Sequence, residues 1–120
     1  MILTTFFFIF AAVGSAQKLL MIQETFRHGA RYPIFPEAAD GSDFAEKIDS
    51  VGELTVEGKN MHYFLGKIIY RKYWSQLFQG TPYENAYNQS QFYIKSTDVN
   101  RTIESAQSHL FGLLENLPPL

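Results

Sequence analysis

The sequence predicts an α/β fold, the amino-terminal β-α-β-α part of a three-layer sandwich with a mainly parallel sheet. Three observations point there. Two short apolar runs alternate with two longer segments of helical period, the order of a βαβ unit with a right-handed crossover. The second helical segment has apolar residues at steps of four, three, four and three. The 120 residues are 46% hydrophobic and 16% aromatic, enough to fill a core and unlike a disordered chain. Helices on both faces of a sheet bury its strands, and such sheets are rarely built from two strands. The unit therefore reads as incomplete.

Residues 1–16 stand apart from the fold. Met1–Val13 (MILTTFFFIFAAV) carries no charged side chain, and Gly14-Ser15-Ala16 supplies the small residues of a cleavage site before Gln17. This is the grammar of a secretory signal peptide. The run falls short of the roughly 20 apolar residues that span a bilayer, so no transmembrane anchor is expected. Residues 17–120 then form the mature part, directed to the secretory pathway.

Lys18–Phe26 (KLLMIQETF) is short, apolar and β-compatible, which predicts a buried strand. Ile34–Leu54 is polar and acidic without a period, a connection longer than the roughly 12–15 residues usual for a structureless loop. Thr55 is placed to cap a helix running to about Phe78, with Met61, Leu65, Ile68, Ile69, Tyr73 and Leu77 near the helical period and Glu57 at the positive end of its dipole. Gly80-Thr81-Pro82 stops it. Gln91–Lys95 (QFYIK) reads as the second strand. Ser96-Thr97-Asp98 offers three N-caps for a helix whose stripe is Val99, Ile103, Ala106, Leu110 and Leu113, ended by Pro118-Pro119.

Ten Lys+Arg against twelve Asp+Glu give a net charge of −2, without the basic excess that nucleic-acid binding requires. The aromatic stripe Tyr70, Tyr73, Trp74 and Phe78 accordingly reads as helix packing, not a base-stacking platform. The sequence has no cysteine, which excludes disulfides, thiolate metal sites and a cysteine nucleophile.

The chemistry-bearing run is Arg27-His28-Gly29-Ala30-Arg31-Tyr32-Pro33, at the carboxyl end of the first predicted strand, where open α/β sheets bind ligands. Two guanidiniums flanking an imidazole suit an anion, because each planar fork can hold phosphate oxygens in pairs. Gly29 allows a tight turn or close approach, and Pro33 stiffens the exit. Arg101, in the first turn of the last helix, would meet the same sheet edge. Arg27, Arg31, Arg101 and the helix terminus could converge on one phosphate.

These residues resemble the histidine acid phosphatases, the acid phosphatase and phytase branch of the histidine phosphatase superfamily. Arg27–Pro33 is similar to their RHGxRxP signature. Gly52-Glu53-Leu54-Thr55 with Gly58, His62-Tyr63 and Leu65-Gly66 is similar to a second segment of that family. Ser96–Thr102 with Ser105-Ala106-Gln107 is similar to a third, with Asn100 where the family is expected to carry aspartate. The resemblance implies hydrolysis of small phosphate monoesters at acidic pH through a phosphohistidine on His28, with Arg27, Arg31 and Arg101 holding the phosphoryl oxygens. It implies no metal or other cofactor, and a secreted or lysosomal protein. The family's general acid belongs to a His-Asp dipeptide; here the three histidines, His28, His62 and His109, precede Gly29, Tyr63 and Leu110. The alternative expectation is a truncated, weak or inactive chain that at most binds phosphate.

His62 and His109 read as packing or surface residues, and a three-histidine metal site is not expected. Glu24 reads as a structural partner that fixes the arginines. Asn88-Gln89-Ser90 is a glycosylation sequon in a polar loop; Asn100-Arg101-Thr102 fits the pattern but falls inside the proposed phosphate site, where sugar is not expected.

Overall fold

The computed structural model describes residues 17–34, 51–84 and 88–117. They contain two α-helices, α1 (Val56–Phe78) and α2 (Asn100–Leu114), and a short 3-10 turn, Gln89–Gln91. Among the described residues there is no β-strand, and the one β-type pairing is an isolated antiparallel bridge between Arg31 and Leu54. This corrects the predicted α/β sandwich: Lys18–Phe26 has no regular structure, and Gln91 closes the 3-10 turn before a run to Thr97 that forms no strand. Of the side chains that suggested buried strands, Leu20 is 81% and Tyr93 88% exposed, while Leu19, Ile22 and Phe92 are half-buried. The physical reason is that residue type biases only the local backbone. Phe92 is extended, at φ −115 and ψ 127, and its N–H donates to the Gln89 carbonyl at 3.2 Å; a strand is made by a continuous ladder of such bonds to a second strand. The predicted leader, most of the Ile34–Leu54 loop and the terminal proline pair lie outside the described residues.

Helix α1 follows its local signals. The Thr55 hydroxyl accepts from the Gly58 N–H at 3.1 Å, satisfying one of the donors a helix start leaves open. At the other end Gly80 turns the chain with φ +69, and the Thr81 N–H and hydroxyl donate to the Phe78 carbonyl at 2.9 and 2.6 Å. Helix α2 departs from expectation at its start. Its N-cap is Val99, with no side-chain cap, in place of Ser96, Thr97 or Asp98. The Asn100 amide instead donates to Glu53 Oε2 at 3.1 Å, a tertiary contact that anchors the helix end.

The two helices meet through small and polar residues. Gly58, His62 and Gly66 are buried on α1, and Ser105, His109 and Gly112 on α2. A methyl group at Gly66 would fall on the His109 carbonyl oxygen and lie 2.8 Å from the Leu113 nitrogen; one at Gly112 would fall on the Tyr63 carbonyl. The backbones therefore touch, closer than helices separated by large side chains. The predicted apolar stripe of α2 flanks this contact, with Ile103, Ala106, Leu110 and Leu113 half-buried. Farther along α1, Trp74 is buried among Tyr70, Phe78 and Phe92 and donates its indole N–H to the Glu84 carbonyl at 2.9 Å. Tyr70, Trp74 and Phe78 of the predicted stripe thus pack on one another, while Tyr73 lies under the Lys72 ammonium. Where α2 ends, Glu115 accepts from Tyr63 and pairs with Lys67. Hydrogen bonds to Glu115 and Tyr63 raise the Lys67 pKa, and those from Lys67 and Tyr63 lower that of Glu115.

Candidate active site

The Arg27–Pro33 segment is strapped to both helices. The Ala30 carbonyl accepts from the Thr55 N–H at 3.0 Å and from its hydroxyl at 3.1 Å, so the residue that caps α1 also holds the loop. The Tyr32 N–H donates to the Glu53 carbonyl at 2.9 Å, and the Gly52 N–H to the Pro33 carbonyl at 3.2 Å. On the α2 side, the buried Gly29 N–H donates to Ser105 Oγ at 3.1 Å, and the Ser105 hydroxyl donates to the Arg101 carbonyl at 2.6 Å. Gly29 is required here by space: a methyl group would fall on the Gly58 carbonyl and lie 2.7 Å from the Gly58 Cα.

Upstream, the Phe26 ring packs against two imidazoles, 4.8 Å from His62 and 5.0 Å from His109 between centroids, and the two imidazoles also meet edge to face at 6.5 Å. Both histidines are buried, as packing residues, and His62 is also hydrogen-bonded to the Arg27 backbone. Burial holds the His62 pKa below its ordinary 6.5; the Arg27 bond opposes this, and the nearby His109 and His28 rings reinforce it. Glu24 does not fix an arginine as expected: its carboxylate lies 3.4 Å from His109 Nε2.

His28 is half-buried, with Nδ1 2.8 Å from the Gly29 carbonyl oxygen. A carbonyl can only accept, so Nδ1 carries the proton and, in the neutral ring, Nε2 presents the lone pair. Arg101 is half-buried, its Nε without a hydrogen-bond partner and its Nη1 3.8 Å from where a methyl group would stand on Gly52. Gly52 takes φ +74, a conformation that favours glycine. Arg31 donates from Nη1 to the Tyr32 carbonyl at 2.9 Å, and Arg27 is exposed. Among the described residues none of the three guanidiniums pairs with a carboxylate. Ser105 thus joins the His28 loop to the turn carrying Arg101, and the Arg31–Leu54 bridge adds the strap that Arg101 approaches. Arg27 is tied to this assembly through its backbone.

Ser105 stands in the third family-like segment with no role assigned to it from sequence, and the Phe26 ring contacts were not foreseen. The signal was present in the polar series Arg101, Ser105 and His109, four residues apart and so on one face of α2. Two shallow hollows, of about 440 and 410 Å³, lie along α1 and α2, and neither is lined by the Arg27–Pro33 segment. Among the described residues no cluster of His, Asp or Glu is placed to hold a metal ion, and no helix is long and apolar enough to cross a membrane.

The sequence matches the model of the histidine phosphatase superfamily (branch 2) over residues 43–118, and the chain belongs to that family. It is 38% identical over 100 residues to the prostatic acid phosphatase of Rattus norvegicus, an alignment covering 83% of this chain and 25% of that protein. It is 33% identical over 107 residues to the lysosomal acid phosphatase of Xenopus laevis, covering 88% and 23% respectively. The chain thus spans about a quarter of the length of the curated relatives it matches. No solved structure matches it.

Proposed function

We propose that this chain carries the nucleophile and the phosphate-holding side chains of an acid phosphatase, a hydrolase of small phosphate monoesters that works through a phosphohistidine. Residues 1–16 are its secretory leader, and residues 17–120 belong to its histidine phosphatase domain. The observation that carries the reading is the Nδ1–H bond of His28 to the Gly29 carbonyl, which leaves Nε2 as the reactive nitrogen. Nε2 attacks phosphorus in line, the P–O ester bond breaks, and the leaving oxygen departs with the bonding pair and takes a proton from water. Water then attacks the phosphohistidine, releasing inorganic phosphate and restoring the ring. Arg27, Arg31 and Arg101 hold the non-bridging oxygens and offset the charge gathering on them, which is mostly electrostatic work. An acidic optimum follows from the need for a protonated leaving group. The names of the relatives, lysosomal acid phosphatase among them, support the activity and the secretory route.

A binding-only role is the second reading. It draws on the three arginines, which have no carboxylate partner among the described residues and would hold phosphate whether or not His28 reacts. Acid-quenched labelling separates the two. With an aryl phosphate, which leaves without help from an acid, the chain is expected to form a phosphoenzyme that His28→Ala abolishes. Arg101→Ala is expected to lower kcat on the order of 10²–10³-fold, the usual loss for one oxyanion donor. Label retained in His28→Ala would overturn the nucleophile assignment, and phosphate binding without label in the unaltered chain would favour the binding role.

A further inference from the structure

We infer that Asn88 is an N-glycosylation site and that Asn100, the other asparagine in an Asn-Xaa-Ser/Thr sequence, is not. The inference rests on the secretory leader proposed for residues 1–16, because the donor sugar is met only after translocation.

The two sequons are held in opposite ways. At Asn88 both local hydrogen bonds fall on the amide oxygen: Oδ1 accepts from the Ser90 N–H at 3.0 Å and from the Ser90 hydroxyl at 2.8 Å. Nδ2 has no hydrogen-bond partner among the described residues. Donation from Ser90 draws electron density toward Oδ1 and favours the form of the amide in which Nδ2 can give up a proton. Downstream the chain is open, with Ser90 and Gln91 exposed and Tyr93 88% exposed, leaving room for a bulky sugar. At Asn100 it is the nitrogen that is engaged, donating to Glu53 Oε2 at 3.1 Å. The Thr102 hydroxyl is also occupied, donating to the Val99 carbonyl at 2.7 Å. A sugar on Asn100 would break the contact that anchors α2 beside Arg101.

In the transfer, Asn88 Nδ2 forms a bond to the anomeric carbon of a lipid-linked oligosaccharyl diphosphate. The anomeric C–O bond breaks, the lipid diphosphate leaves with the bonding pair, and Nδ2 loses one proton.

The test expresses the 120-residue chain in secretory eukaryotic cells, once with its own leader and once with residues 1–16 replaced by an established cleavable signal. Chain protected inside the secretory membranes is digested, treated with peptide N-glycosidase, and mapped for asparagine converted to aspartate. Conversion is expected at Asn88, lost in Asn88→Gln and Ser90→Ala, and kept in Ser90→Thr and Asn100→Gln. A protected chain without sugar on Asn88, or with sugar on Asn100, would overturn the inference. Sugar on Asn88 only behind the replacement signal would sustain the site and overturn the leader. Peptide mapping gives the same readout whether or not a variant folds.

Discussion

Ser105 is the most completely buried polar side chain described, at 0% exposure, and it makes two hydrogen bonds, from the Gly29 N–H and to the Arg101 carbonyl. Removing its hydroxyl strands the Gly29 N–H, and an unsatisfied buried donor costs about 1–3 kcal/mol. Ser105→Ala is therefore expected to destabilise by that amount and to speed hydrogen exchange at Gly29 while the amides of α1 near Trp74 stay protected. Uniform loss of protection would show that Ser105 holds the whole fold and not the loop. His62 gives a second prediction. Its folded pKa lies below 6.5, so below that pH the unfolded chain binds more protons than the folded one. Stability is then fully present above about pH 6.5, falls as the pH drops, and levels off below the folded value. In His62→Gln, melting temperatures between neutrality and about pH 5 should fall less steeply than in the unaltered protein. Equal slopes would assign the acid sensitivity to another group.

The helices set glycine's poor helix propensity against close approach. Alanine at Gly66 or Gly112 would gain roughly 1 kcal/mol in propensity. It would also push a methyl group into a backbone carbonyl of the facing helix, which cannot rotate away. Overpacking costs about 1–3 kcal/mol and often more against rigid atoms, so Gly66→Ala and Gly112→Ala are expected to lower stability in denaturant titrations. A neutral or stabilising result would mean that the helices do not cross there. The same contrast explains what could be read from sequence. Helix α1 was legible because Thr55, the apolar period and Gly80 are all local signals, and its span follows them. The start of α2 was not, because Asn100 bonds to Glu53, 47 residues away in the chain. The strand reading of Lys18–Phe26 failed for a related reason: apolar content and β-propensity carry no information about a pairing partner. For the proposed site, sequence offers residue types, Arg27, His28, Arg31 and Arg101. The role of Ser105, named in the third family-like segment, was not legible, because its bond from the Gly29 N–H spans 76 residues of chain.

Taken whole, the described chain buries little apolar mass. Its buried hydrophobic side chains are Leu54 and Trp74. Met61, Phe64 and Ile68 stand at 59%, 59% and 56% exposure on α1, and Phe111 at 66% on α2. Positions 61, 64 and 68 follow steps of three and four, so they share one face of the helix. Single exposed apolar residues are ordinary, but a contiguous face leads to association when nothing covers it. The chain purified from Gln17 to Leu120 is therefore expected to bind the dye ANS and to self-associate in light scattering, more strongly at higher salt, where its net charge of −2 is screened. Met61→Glu with Phe64→Lys should reduce both signals without lowering the melting temperature, since neither side chain lies in the contact between α1 and α2. A monomer silent to ANS would show that this face is covered from within the chain. Loss of stability in the double variant would show that the face is part of the core.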